Sequence, residues 1–359
     1  MRPIFTADDD RMCVRVELGY DAEENSDLLD EAVERVTALG YSNAFGQILL
    51  PPGRFPLERR WHVGAPSPSG IIRALWLRGQ GTVLRWEDDD CGVLLENWNT
   101  EFLGGMAGIG LEHARSSTEG VGLHLSGMYQ FFVEDLSVVG FGTGLLFDAE
   151  SRWNTVVEAQ AVAHCRVRVR EMRDNLVGVT FHTGRNVPEA NNRPYANVNT
   201  VSGGRWQGRP GRGSRHVVLR DAATSNLFAN CSFDARPEHA VELGFGKTLS
   251  GMGVTFRSCD FAGSASGALF LVESGSESPN KGQYRYRWAR LMGGSMRDDR
   301  LAEYTSGDRS GFCFFAAGAH LSFAQAMNAL PWGTWTDGAD AGRVVGRLPE
   351  DHLTAAWRY

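Results

Sequence analysis

Two octapeptides carry the carboxylates whose chemistry is easiest to argue. Phe228-Ala229-Asn230-Cys231-Ser232-Phe233-Asp234-Ala235 lies 28 residues before Phe256-Arg257-Ser258-Cys259-Asp260-Phe261-Ala262-Gly263. Val201 to Gly208 stands 27 residues before the first, and Ala289 to Met296 continues the series with Leu291 and Met292 in the apolar places. A period in the high twenties fits one turn of a stack of short strands with a modest loop. Side chains alternate along a strand. With Cys231, Phe233, Cys259 and Phe261 pointing in, Ser232, Asp234 and Asp260 point out, and the preceding turn adds Arg205 and Gln207 to that face. Asp234 and Asp260 are then one turn apart and two positions offset. Combining ~4.8 Å between strands with ~6.7 Å along them gives roughly 8 Å, inside the ~6.5–9.5 Å window of an inverting glycosidase pair. Asp234 and Asp260 are the candidate acid and base, with Arg205 beside them. The plain alternative makes both aspartates strand-end residues and the stacked cysteines a ladder of small core side chains.

One turn earlier, His164-Cys165-Arg166-Val167-Arg168-Val169-Arg170 alternates cleanly, so Arg166, Arg168 and Arg170 share the outward face. Like charges at every second position repel unless an anion faces them. Glu134, Asp135, Glu171 and Asp174 are intramolecular candidates. The alternative is a subsite for the carboxylates or sulfates of an acidic glycan, which arginine binds in bidentate fashion. From His182 the chain carries a long polar stretch that reads as a protruding loop, offering His182, Arg185, Glu189, Arg193 and Tyr195 as groove-wall and substrate-binding residues together with Gln207. Arginine or tyrosine in such a groove also suits β-elimination, in which a base takes the proton next to a uronate carboxylate and a cation steadies the enolate.

Other patterns carry less. The nine histidines and Ser126 and Ser202 show no nucleophile motif, and the run Gly104 to Gly110 lacks the strand–helix context of a phosphate loop and reads as a corner. Six scattered cysteines without a C-x-x-C pair argue against a zinc site or a disulfide framework. No metal or other cofactor is implied. A net charge of −7 argues against nucleic acid as the partner, and no apolar run is long enough for a membrane span. The first ten residues lack the apolar core of a secretory signal, which points to the cytoplasm or to a phage particle.

These residues must be held by short strands. Runs of alternating residues recur from Ala74–Leu77 to Val177–Phe181, bounded by Gly, Asn, Asp or Ser, and no helical pattern separates them. Ahead of them, Asp27–Leu39 has helical spacing, with Ser26 as the expected N-cap and Gly40 as the stop. Then Gly46-Gln47-Ile48-Leu49-Leu50-Pro51-Pro52-Gly53-Arg54-Phe55 reads as strand, sharp corner, strand, because Pro-Pro forbids helix and Gly53 permits positive φ. A helix leading into such a G-x-[IV]-x-[LF]-P-x-G-x-[YF] corner resembles the start of the pectate-lyase-like, single-stranded right-handed parallel β-helix proteins. Asp135-Leu136-Ser137-Val138-Val139-Gly140-Phe141 resembles a coil common in that superfamily. The resemblance covers roughly residues 20 to 325 and implies an all-β solenoid with an N-terminal capping helix.

The expected organisation is an N-terminal segment and helix over 1–45, the β-helix over 46–325, and a C-terminal cap or tail over 326–359 containing Trp332, Trp335 and Trp357. The superfamily holds lyases, hydrolases and phage tailspikes, so fold alone does not choose among them. The leading expectation is an enzyme that cleaves an acidic polysaccharide or oligosaccharide by hydrolysis or β-elimination. The rivals are a non-catalytic phage tail or adhesion protein, for which a homotrimer is expected, and a cytoplasmic enzyme acting on a small molecule.

Overall fold

The computed structural model describes residues 13–38, 45–64, 72–98, 104–149, 161–182, 195–220, 223, 225–234, 237–244, 252–262, 269–272, 287–298, 302–304, 312–317, 319–323 and 344–345. Within them the chain winds as a right-handed parallel β-helix. Each turn contributes one strand to a second sheet and one longer, bent strand, or a pair of short ones, to a first. The first sheet runs from Cys13–Arg15 through Phe45–Leu50, Ala74–Trp86, Gly105–His113, Phe132–Val139 and Arg166–Arg173 to Met252–Phe261 and Arg287–Asp298. The second stacks Trp61–Gly64, Val93–Glu96, Val121–Ser126, Thr143–Asp148, Val177–His182, Gly211–Leu219, Pro237–Leu243, Phe270–Val272 and Ala302–Tyr304. All these pairings are parallel, and the antiparallel one is Val344–Val345 against Phe314 and Phe315.

The repeat read from sequence is the strand register. Val201 pairs with Phe228, Phe228 with Phe256 and Phe256 with Leu291, while Trp206, Phe233, Phe261 and Met296 form a parallel row. These inward residues are almost fully buried and stack ring on ring, with centroids 5.4 Å apart for Phe228–Phe256 and 4.6 Å for Phe233–Phe261. Met292 departs from the expectation. It lies one position off the inward row and is 41% exposed, while Met296 takes the buried place.

Corners need their backbone groups satisfied. At the entry to the first sheet this is done by buried asparagines: Asn199 Nδ2 donates to Val162 O, and its Oδ1 accepts from Cys165 N–H. One turn on, Asn226 Oδ1 accepts from Asn199 N–H, and Asn226 Nδ2 donates to Ala196 O. Midway along the first sheet the strands bend at residues with positive φ, among them Asp135, Asn230 and Ser258. Asp, Asn and Ser are short polar residues, and Asn and Asp tolerate this region best among non-glycine residues.

The Pro-Pro-Gly corner joins Phe45–Leu50 to Gly53–Pro56, as expected. Gly53 sits at φ +139°, and a Cβ there would meet the Phe55 ring at 2.8 Å, so only glycine fits. The corner is not the first rung, however, because Cys13–Arg15 pairs with Gln47 to Leu49 ahead of it. The helix spans Ala22–Thr37 rather than starting at Asp27. Asp21 is the N-cap and accepts from Glu24 N–H, while Ser26 is buried inside the helix, donates to Ala22 O and accepts from Glu58 N–H. An Asp-x-x-Glu signal one turn earlier outcompetes the serine. Leu29, Ala32 and Val36 are fully buried in the core cluster, which caps this end of the stack. The glycine-rich run Gly104 to Gly110 is not a corner but the first part of strand Gly105–His113. The expected stop at Gly40 and the three C-terminal tryptophans lie outside the described residues.

Candidate functional site

The second sheet gathers a cluster that reading the chain linearly does not reveal. Leu95, Leu125, Phe147, Phe181 and Leu219 form its inward row and are fully buried. The next position along each strand lies on the opposite face of the sheet, which aligns Glu96, Ser126, Asp148 and His182 at the strand ends, Glu96 and Ser126 being buried there. Arg220 continues the row, its N–H donating to Phe181 O as the ladder requires. Neighbours in such a row stand ~4.8 Å apart. His124 is two residues before Ser126, on the same face and diagonal to Asp148.

Asp148 is bracketed by two imidazoles. Its Oδ1 lies 3.2 Å from His182 Nδ1 and its Oδ2 3.1 Å from His124 Nε2. The Asp148, His124 and His182 side chains are 14, 17 and 25% exposed, so the group is sheltered yet open to solvent on one side. With the carboxylate ionised, the ring nitrogens facing it carry the protons. That fixes His182 as the Nδ1–H tautomer and makes Nε2 its basic nitrogen. On His124 the basic atom is Nδ1, which is buried with no hydrogen-bond partner among the described residues.

The row extends in both directions. His62 Nε2 lies 3.1 Å from Glu96 Oε2, packed where Gly64 leaves room. On the other side Glu242 accepts from Arg215 Nε at 3.0 Å and pairs with Arg220 at 3.5 Å. Glu238 accepts from Gly213 N–H and from Arg215, and these bonds hold its carboxyl below the usual carboxylate range. Among the described residues no three His, Cys, Asp or Glu side chains converge so as to hold a metal ion.

The residues singled out from sequence occupy the first sheet. Arg205 pairs with Ser232 and Gln207 with Asp234, and Ser232 in turn pairs with Asp260. Asp234 and Asp260 therefore stand one rung apart and two residues offset. Both are engaged: Arg205 Nε donates to Asp234 Oδ2 at 2.6 Å, Ser232 Oγ to Asp234 Oδ1 at 3.1 Å, and Ser295 Oγ to Asp260 Oδ1 at 2.8 Å. Beneath Asp234, His216 is buried against the Phe233 ring, and burial holds its pKa down at about 4 despite the nearby Asp234 charge. Cys231 and Cys259 stack in the core, and the Cys259 sulfur together with burial pushes the Cys231 thiol well up.

Arg166, Arg168 and Arg170 all face out, alternating with buried Val167 and Val169. Arg170 pairs with Asp135 at 3.5 Å, Arg166 lies over the Phe132 ring, and Arg168 has no ion pair among the described residues. Two expectations about the long loop need correction. His182 is the last residue of a strand and part of the imidazole cluster, and Tyr195 opens strand Tyr195–Asn197, paired with Ala161. Hydrogen bonding to neighbouring rungs holds both in the ladder. Arg185, Glu189 and Arg193 lie outside the described residues. Sequence reasoning passed over His124 and Asp148. The available signal was the alignment of three similar runs, Val121–Ser126, Thr143–Asp148 and Val177–His182, whose outward positions carry His, Asp and His.

No family model matches the chain, and no curated protein matches it. Among solved structures, the periplasmic alginate epimerase AlgG is similar over 87% of this chain and 85% of its own, at 11% identity and a TM-score of 0.33. The ORF18 protein of Geobacillus virus E2 is similar over 86% of this chain at 11% identity and a TM-score of 0.26; this chain spans 61% of the viral protein. The A-module of the Azotobacter vinelandii mannuronan C-5 epimerase AlgE6 is similar over 85% of this chain and 97% of its own, at 9% identity and a TM-score of 0.19.

Proposed function

We propose that the protein cleaves a uronate-containing polysaccharide by β-elimination, with His182 as the base. The observation that carries this reading is the bracketing of Asp148 by His124 and His182 on an outward row that continues to Arg220. The imidazole Nε2 of His182 takes the proton from the carbon beside the uronate carboxylate, and Asp148 stabilises the imidazolium that forms. Arg220, one rung on, offers a cation to the carboxylate as negative charge builds on it. The electron pair left on carbon forms the new C=C bond while the glycosidic C–O bond breaks. The departing oxygen takes a proton from the imidazolium. Both imidazoles stand on one face of one sheet, so the base approaches from one side of the sugar, which is all an elimination needs. A long ridged face made of ~4.8 Å rungs suits an extended polymer.

A polyuronate panel read by the ultraviolet absorbance of the unsaturated product tests this. Asp148→Asn and His182→Gln are expected to lower kcat by two orders of magnitude or more, roughly the contribution of a positioned general base. Full activity in both variants would discard the site. Loss of the proton to solvent with no unsaturated end, read by hydrogen exchange at the same carbon, would replace elimination by epimerisation.

A second reading, hydrolysis by Asp234 and Asp260, is favoured by their offset of one rung and two residues, a separation of roughly 8 Å. The 2.6 Å pair between Arg205 and Asp234 weighs against it, because it occupies the carboxylate that a substrate would have to reach. Asp234→Asn and Asp260→Asn should leave the elimination intact; loss of new reducing ends in both would restore the hydrolytic reading.

A further inference from the structure

The first half of the first sheet presents a different face of the coil, and its outward row has a regular charge pattern. Arg78 pairs with Ala107, Ala107 with Glu134, and Arg168 follows on the next strand. Arg168 pairs with Ser202, Ser202 with Ala229, and Ala229 with Arg257. Arg78, Arg168 and Arg257 thus stand in one row at intervals of three rungs, or about 14 Å. All three are exposed, and none makes an ion pair among the described residues. Ser202 and Ala229, both small, lie between Arg168 and Arg257, with Ala229 buried. Two residues away, Arg166 and Arg290 flank this row, and the guanidinium groups of Arg78, Arg166 and Arg290 lie over the rings of Trp76, Phe132 and Trp288. Such stacking pre-orients an arginine side chain. Beside these arginines the same rows hold, among the described residues, one carboxylate, Glu134, in a chain whose net charge is −7.

We propose that this face is a second, non-catalytic binding track for a linear anionic polysaccharide lying along the coil axis. It extends the Arg166–Arg168 subsite to an axial line of cations, and it stands whether or not the histidine row performs an elimination. Regularly spaced cations on flat ground match a chain with evenly spaced carboxylates or sulfates. Nucleic acid is the poorer fit, since a chain with a net charge of −7 repels the dense phosphate backbone over much of its surface.

Affinity electrophoresis in native gels containing polygalacturonate or dextran sulfate tests the proposal on the full chain. Wild type should be retarded, and less so with added salt. The Arg168→Gln/Arg257→Gln double variant should bind at least about tenfold more weakly, one lost charge-assisted contact being worth about a decade. Both arginines are exposed, so the fold should be kept, which far-ultraviolet circular dichroism checks. Unchanged retardation of the double variant, equal retardation by uncharged dextran, or tighter binding of double-stranded DNA than of either glycan would each overturn it.

Discussion

His216 makes a specific demand on the pH dependence of stability. It lies on strand Gly211–Leu219, 2% exposed, with its ring 5.3 Å from that of Phe233 and its Cε1 facing Gly208. Burial disfavours the imidazolium and holds the folded-state pKa at about 4, below the 6.5 of an exposed histidine, while Asp234 pulls weakly the other way. A depressed folded pKa means that the unfolded chain binds the proton first. The stability His216 contributes is therefore complete above about pH 6.5 and is lost as the pH falls toward 4. A gap of about 2.5 pH units corresponds to about 3 kcal/mol. The assay is urea unfolding at a series of pH values, for wild type and for His216→Phe, which keeps an aromatic ring and removes the titration. Carboxylates titrate in both, so the quantity to read is the difference. Wild type should lose about 3 kcal/mol more than the variant between pH 7 and pH 4. Parallel curves would refute the reasoning and place His216 in contact with water or with an unrecognised anion.

Two further predictions concern the stack. Asn226→Leu removes the acceptor for Asn199 N–H and the donor for Ala196 O while keeping the side-chain volume, and unmet buried groups should cost about 3 kcal/mol or more by urea unfolding. Burial pushes the Cys91 and Cys165 thiols up to about 12, so iodoacetamide at pH 8 should leave both unmodified in the native protein and alkylate both after unfolding, as mass spectrometry of the digest would show.

What could be read from the residues themselves was whatever repeats locally. The Phe228/Phe256 and Phe233/Phe261 pairs, the inward cysteines and the alternation of Arg166 to Arg170 all rest on the two-residue period of a strand, and they reappear as register and burial. The Pro-Pro-Gly corner likewise reflects backbone chemistry within a few residues. The histidine cluster was hidden because its members are 24 and 34 residues from Asp148 and belong to no motif. They meet only once each strand is placed against its neighbours, and the connections between strands differ in length, so no single spacing finds them. The helix start was missed for a different reason. Asp21 and Ser26 are both good caps; the Asp-x-x-Glu signal at Asp21 prevails, and Ser26 instead accepts from Glu58 N–H inside the helix.

The stacked rows also bear on how the chain reaches its native state. In these rows each rung pairs with the one before it and the one after it, and the sequence distance spanned stays near one turn however far along the stack one looks. The entropic cost of closing each new loop is then much the same at every step. A chain emerging from the ribosome can seat the helix Ala22–Thr37 and its first rungs before the last strands exist, and each later rung finds its template already in place. Turns can then be added in order to an end that is already closed.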